Sequence, residues 1–167
     1  MLIRSTSPYH TDVLFDTIVW EGVPQRVLEA GNEPQLMHRL SAAGAQTIRG
    51  HDVEMDLTHL PFADRTFDVV VAKGILEQFP QAMATVFLSE LARVTKMRLL
   101  LWFHRGLRQD GCLVSYCAPN GEREWEYPEV WVRTLLDRWG FFWQSYRFAV
   151  TSDTFGVAVR GLAHSEE

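Results

Sequence analysis

The stretch FDVVVAKG, Phe67 to Gly74, decides the fold. Three consecutive valines closed by a glycine read as a strand buried on both faces, because a solvated face would force alternation with polar residues. Working outward, RVLEA (26–30), AQTIRGHD (45–52) and MRLLLWFH (97–104) predict further strands. Between them, PQLMHRLSAAG (34–44) predicts a helix begun by Pro34 and stopped by Gly44. AMATVFLSELARVTK (82–96) predicts another, with Val86, Leu88, Leu91 and Val94 on or near one face. Ahead of all these, SPYHTDVLFDTIVWEG (7–22) reads as a helix capped by Ser7, with Val13, Leu14, Ile18 and Trp20 apolar and Gly22 at its end. YPEVWVRTLLDRWG (127–140) is a helix starting near Pro128. FFWQSYRFAV and TFGVAVRGLA, joined by the polar TSD, predict an antiparallel hairpin.

Strands alternating with helices, then a hairpin, predict an α/β fold: a three-layer Rossmann-like sandwich whose mostly parallel sheet ends in antiparallel strands. No linker or repeat divides the 167 residues, so one domain is expected, with a helical segment over 1–25 and a core over 26–167. The apolar fraction of 47% and charged fraction of 22% are those of a soluble globular chain. No apolar run is long enough to span a bilayer, and MLIRSTSPYH has no secretory apolar region. A net charge of −5 speaks against a nucleic-acid surface. Cys112 and Cys117 fit neither a zinc nor a redox spacing and read as reduced thiols of a cytoplasmic protein, and the six scattered histidines predict no metal site.

In sheets of this kind ligands sit at the carboxyl ends of the strands. After the first strand come Glu29, Gly31, Asn32 and Glu33. Gly31 allows backbone to approach a ligand closely, and Asn32 tolerates a left-handed turn. Glu33 adds a Cβ and a negative charge; it either points to solvent or pairs with a ligand ammonium. After the second strand comes Asp52, 21 positions beyond Gly31 and suited to accept from a ribose diol. His104, after the MRLLLWFH strand, is the candidate general base. His10 is a candidate lid residue, and Tyr9, Tyr116 and Trp125 are candidate pocket walls. The segment RGLRQDGCLVSYCAPNGEREWEY (105–127), which follows a strand end and is rich in loop and aromatic residues, reads as a loop where ligand specificity would reside.

The block DLTHLPFADRTFDVVVAKGILEQFP (56–80) resembles the centre of the class I S-adenosylmethionine-dependent methyltransferases, of the small-molecule type. Asp56, Leu60-Pro61-Phe62, Asp64, Phe67-Asp68, Val70 and Leu76-Glu77 fall in register with its pattern. VLEAG, ELARVTK and LLDRWGFF extend the likeness over about residues 26–160. The resemblance implies methyl transfer from S-adenosylmethionine to a small-molecule acceptor. It implies that Glu29, Gly31 and Asn32 lie near the methionine end, that Asp52 holds the ribose, and that Asp56 and Leu57 face the adenine. Lys73 and Gly74 would border the transferable methyl. The chain departs from the family where GNEPQ stands for the glycine-rich turn and where only a short segment separates Asp52 from Asp56. The second departure implies loss of an edge strand and its helix, leaving an exposed sheet edge for a second copy or a protein partner. The first leaves open a methyltransferase-like protein that binds or regulates without catalysing.

Overall fold

The computed structural model describes residues 8–51, 55–104, 114–117, 123–147 and 153–161. These form a six-stranded sheet in the order β2-β1-β3-β4-β8-β7 and a separate two-stranded sheet, β5-β6. The strands are β1 (Arg26–Glu29), β2 (Gln46–Arg49), β3 (Phe67–Lys73), β4 (Thr95–His104), β5 (Val114–Cys117), β6 (Arg123–Glu126), β7 (Phe141–Arg147) and β8 (Asp153–Arg160). Helices α1 (Pro8–Val19) and α2 (Pro34–Ala42) cover one face; α3 (Gln81–Val94) and α4 (Glu129–Arg138) cover the other. β2, β1, β3 and β4 run parallel, while β8 is antiparallel to both β4 and β7. The Rossmann-like sheet ending in antiparallel strands is therefore as the sequence predicts.

The valine run explains the layering. Val69 and Val71 pack with Leu14, Ile18, Leu36 and Leu40 under α1 and α2, whereas Val70 and Ala72 pack with Phe87, Leu88, Leu91 and Leu136 under α3 and α4. Alternate residues of one strand thus seed two cores. Asp68 opens this strand structurally: its carboxylate accepts from the Gln25 and Arg26 amides at 3.1 and 3.0 Å, pinning the entry of β1 beside β3.

Three expectations need correction. Within 105–127 the described residues form a hairpin, β5 paired with β6, rather than a loop. Val86 is 45% exposed, and Phe87 takes its place inward, because the buried stripe of α3 runs through Ala84, Phe87, Leu88, Leu91 and Val94. Trp20 lies beyond the end of α1 and is exposed. Asp52 and Cys112 lie outside the described residues, as does the side chain of Cys117.

The Leu60-to-Asp64 segment is held by α3. The Arg93 guanidinium donates to the carbonyls of Leu60 and Phe62 at 3.0 and 2.6 Å, to Asp64 at 3.0 Å and to Glu90 at 2.8 Å. Glu90 in turn accepts from the Leu60 amide at 2.8 Å. This clamp spans the gap left between β2 and β3, with Phe62 set edge-on against Phe67 beneath it. Replacing Arg93→Met strands two carbonyls and is expected to cost about 2–3 kcal/mol in urea unfolding. An unchanged midpoint would show that the clamp contributes nothing.

Candidate functional site

Parallel pairing brings the ends of β1, β3 and β4 to one edge of the sheet. Glu29 stands beside Val71, Lys73 beside Trp102, and His104 beside Asp153 of the antiparallel β8. Across this edge runs a row of polar side chains on a buried floor.

At one end is the β1–α2 turn. Gly31 lies so close to β3 that a Cβ there would stand 2.6 Å from the Lys73 carbonyl oxygen and 2.9 Å from Glu29 Oε1. No other residue type fits without moving backbone. Glu29 is fully buried, and neither carboxylate oxygen has a hydrogen-bond partner among the described residues. Arg49 reaches to 3.9 Å of it. Burial pushes the Glu29 carboxyl up to about 7, while the nearby Glu33 and Gly31 amides, short of hydrogen-bond geometry, and the Arg49 charge oppose the rise.

Glu33 resolves the alternatives that its position poses. It does not point to solvent: it is 3% exposed, and its Oε1 accepts from Lys73 Nζ at 2.6 Å. Its second oxygen has no partner among the described residues. Lys73 also lies 5.8 Å from the Trp102 ring centre. Asn32 does not use left-handed backbone; its Oδ1 accepts from Arg49 Nη2 at 3.3 Å, tying the turn to β2. Gly74 does adopt a positive φ of 65°, and its amide donates to the Trp102 carbonyl.

At the other end, His104 is held by three carboxylates. Its backbone amide donates to Glu77 Oε1, Asp153 Oδ1 stands 3.2 Å from Nδ1, and Glu126 Oε1 stands 3.7 Å from Nε2. The Asp153 hydrogen bond raises the His104 pKa above its ordinary value against partial desolvation. Asp153 also accepts from Trp102 Nε1 at 3.3 Å. His10 of α1 packs against Trp102 with ring centres 4.3 Å apart and planes tilted by 43°, and burial together with the Lys73 charge lowers its pKa. It therefore sits over the site and is not a freely solvated residue.

The remaining sequence candidates divide. Asp56 is exposed, and its Oδ1 accepts from the Thr58 amide and hydroxyl at 2.9 and 2.6 Å, which hold its pKa down. Leu57 is half-buried, with its side chain against Gly50 beside the end of β2. Trp125 packs on the core. Tyr9 is exposed on α1, and the Tyr116 side chain is outside the described atoms. Among the described residues no cluster suits a metal ion. Sequence reasoning did not find Glu77, Glu126 and Asp153 as partners of His104. Their meeting depends on the register of β8 and on the β5–β6 hairpin, which no local pattern encodes.

Comparisons with known proteins bear on the fold. Residues 30–103, just under half the chain, match the family described as a methyltransferase domain. Among solved structures, the Synechocystis PCC 6803 magnesium protoporphyrin IX methyltransferase with bound S-adenosylhomocysteine is 21% identical, with a TM-score of 0.69 over 92% of this chain and 83% of that one. A Burkholderia thailandensis 1,6-didemethyltoxoflavin-N1-methyltransferase, with its namesake compound and S-adenosylhomocysteine bound, is 14% identical (TM-score 0.67; 90% and 76% covered). A methyltransferase assigned as putative from Bacillus halodurans C-125 is 13% identical (TM-score 0.63; 90% and 98% covered). At these identities the likeness establishes the fold. No curated protein matches the chain by sequence.

The buried Glu29 carboxyl carries a consequence for stability. Unfolded, it ionises near 4.5; folded, only near 7, so the native state holds the extra proton between those values. Stability is therefore undiminished below about 4.5 and falls as pH rises toward about 7, by an amount on the order of 3 kcal/mol. Glu29→Gln is expected to flatten that slope in melts between pH 4.5 and 7.5. An identical slope in the variant would show that Glu29 is not the group concerned.

Proposed function

We propose that this chain, which has the class I methyltransferase fold and a methyltransferase domain over 30–103, transfers the methyl group of S-adenosylmethionine to a small-molecule acceptor. The observation that carries the reading is the buried Glu29 carboxyl at the end of β1, whose two oxygens have no hydrogen-bond partner among the described residues, held beside the tight Gly31–Lys73 backbone contact. That is the residue set an ammonium-bearing ligand at the end of β1 requires. Bound there, the cofactor supplies an electrophilic methyl on a sulfonium.

The chain's own residues then have separable tasks. Gly31 and the Lys73 carbonyl give close backbone approach. Glu29 accepts from the ligand ammonium and gives up its proton as the positive charge arrives. Leu57 offers apolar surface to the adenine, Asp56 has one oxygen outside its Thr58 bonds for the adenine amino group, and Asp52 holds the ribose. His104 takes the acceptor's proton at Nε2, because Asp153 holds the Nδ1 proton and so selects the tautomer. The acceptor lies between His104 and the Lys73-Gly74 end of β3, with His10 and Trp102 as one wall. Methyl transfer is an in-line displacement, so positioning supplies most of the acceleration.

A thermal melt of the full chain tests binding directly. S-adenosylhomocysteine at about 100 times its dissociation constant stabilises by roughly 2.7 kcal/mol, a rise of about 5–11 °C for a chain of this size. The rise is expected to vanish in Asp52→Ala, which leaves the Gly31–Lys73 backbone contact in place. No rise at millimolar ligand would favour the non-catalytic alternative, to which the buried Glu33 side chain in the glycine position already lends weight.

Once an acceptor is found, the rate should climb as pH passes through the raised His104 pKa. Asp153→Asn removes the carboxylate charge and weakens the hydrogen bond that raises it, and is expected to move that limb to lower pH while lowering the plateau. A limb that stays in place would exclude His104 as the base.

A further inference from the structure

Glu33 and Lys73 occupy a position that the proposed reading leaves unexplained. Lys73 forms one side of the Gly31–Lys73 backbone contact and Glu33 lies two residues beyond Gly31; both are almost fully withdrawn from water, the Glu33 and Lys73 side chains being 3% and 11% exposed. A buried pair of opposite charges is a poor stabilising device on its own account, because desolvation consumes most of the attraction. A pair serving stability alone would satisfy its remaining polar atoms. This one leaves Glu33 Oε2 without a hydrogen-bond partner among the described residues, and both oxygens of neighbouring Glu29 likewise. Lys73 carries three N–H donors, one of which is given to Glu33. The cluster therefore presents acceptor capacity on two carboxyl groups and donor capacity on one ammonium, side by side on the same wall.

A ligand that answers both at once must itself carry an ammonium and a carboxylate close together. An apolar or purely anionic group would leave the carboxyl oxygens bare. A simple cation would leave the Lys73 donors unused. A zwitterion adds no net charge to a buried site, which keeps the electrostatic cost of its entry low.

We propose that Glu33 and Lys73 are the residues that select the α-amino-acid end of the ligand, exchanging their contact with each other for contacts to its ammonium and carboxylate. Glu33 turns its bond from Lys73 Nζ to the ligand ammonium, which it shares with Glu29. Lys73 turns to the ligand carboxylate while keeping its place beside Trp102. A glutamate in a turn that otherwise calls for glycine is then a substitute grip: a charge-assisted side-chain bond replaces close approach of backbone. The inference rests on the cofactor reading above and assigns residues within it.

The test compares two ligands that share the nucleoside and thioether and differ in the amino-acid end: S-adenosylhomocysteine and methylthioadenosine. Dissociation constants are measured by titration calorimetry on the full chain and on the double variant Glu33→Gln/Lys73→Met. The double variant removes both charges together, so neither is left buried alone, and its fold is verified by its melting transition. The wild-type chain is expected to bind S-adenosylhomocysteine at least about tenfold more tightly than methylthioadenosine. In the double variant that preference should collapse through weaker S-adenosylhomocysteine binding, with methylthioadenosine unchanged.

Equal weakening of both ligands would overturn the inference by showing that the pair shapes the turn and does not read the ligand. Tighter S-adenosylhomocysteine binding by the variant would overturn it in the other sense, making the pair a plug. Binding of neither ligand by the wild-type chain would remove the cofactor reading itself, and this inference with it.

Discussion

The parallel pairing of β1 with β3 is the constraint on which the rest of the molecule depends. It sets Val27, Leu28 and Glu29 against Val69, Val70 and Val71, so the alternating valines divide the two cores around a common centre. The same register delivers Gly31 onto the Lys73 carbonyl, at a distance that admits no Cβ. Asp68 fastens the entry of this pair from below through the Gln25 and Arg26 amides. Fold and site are consequences of one ladder: a change that shifts its register moves the cores and the ligand edge together.

The segment that carries the family resemblance turns out to be largely architectural. Asp64 is clamped by Arg93, Asp68 pins strand entries, and Glu77 anchors the His104 backbone. These residues hold the loops where a ligand edge needs them, and a chain could keep them after losing catalysis. In the proposed reading, a working site is distinguished by Glu29, Gly31, Glu33 and Lys73 at one end and His104 with Asp153 at the other. Among the described residues β2 is one edge of the sheet, a strand of four residues ending at Arg49.

Much of this was legible in the chain itself. The valine run predicts the central strand, Pro34 and Gly44 bracket α2, and the TSD turn predicts the terminal hairpin, because each of these signals is local. The inward turn of Glu33 was not legible. A glutamate after a strand is ordinarily solvated, and only the three-dimensional proximity of Lys73, 40 positions away, gives it a buried partner. His104 was visible as a strand-end residue, but the carboxylates that set its charge come from β6 and β8 and the turn after β3. The hairpin β5–β6 escaped notice because its strands are short and lie in a stretch rich in turn residues.

The central claim is that one edge of the sheet holds S-adenosylmethionine with a side-chain grip in place of a glycine one. A crystal structure of the full chain grown with S-adenosylhomocysteine tests it most directly. The account predicts the amino-acid end of the ligand over Gly31, its ammonium within hydrogen-bond distance of Glu33 and Glu29, its carboxylate on Lys73, and the Glu33–Lys73 bond broken. Ligand bound with that bond intact, or lying away from the ends of β1 and β3, would contradict it.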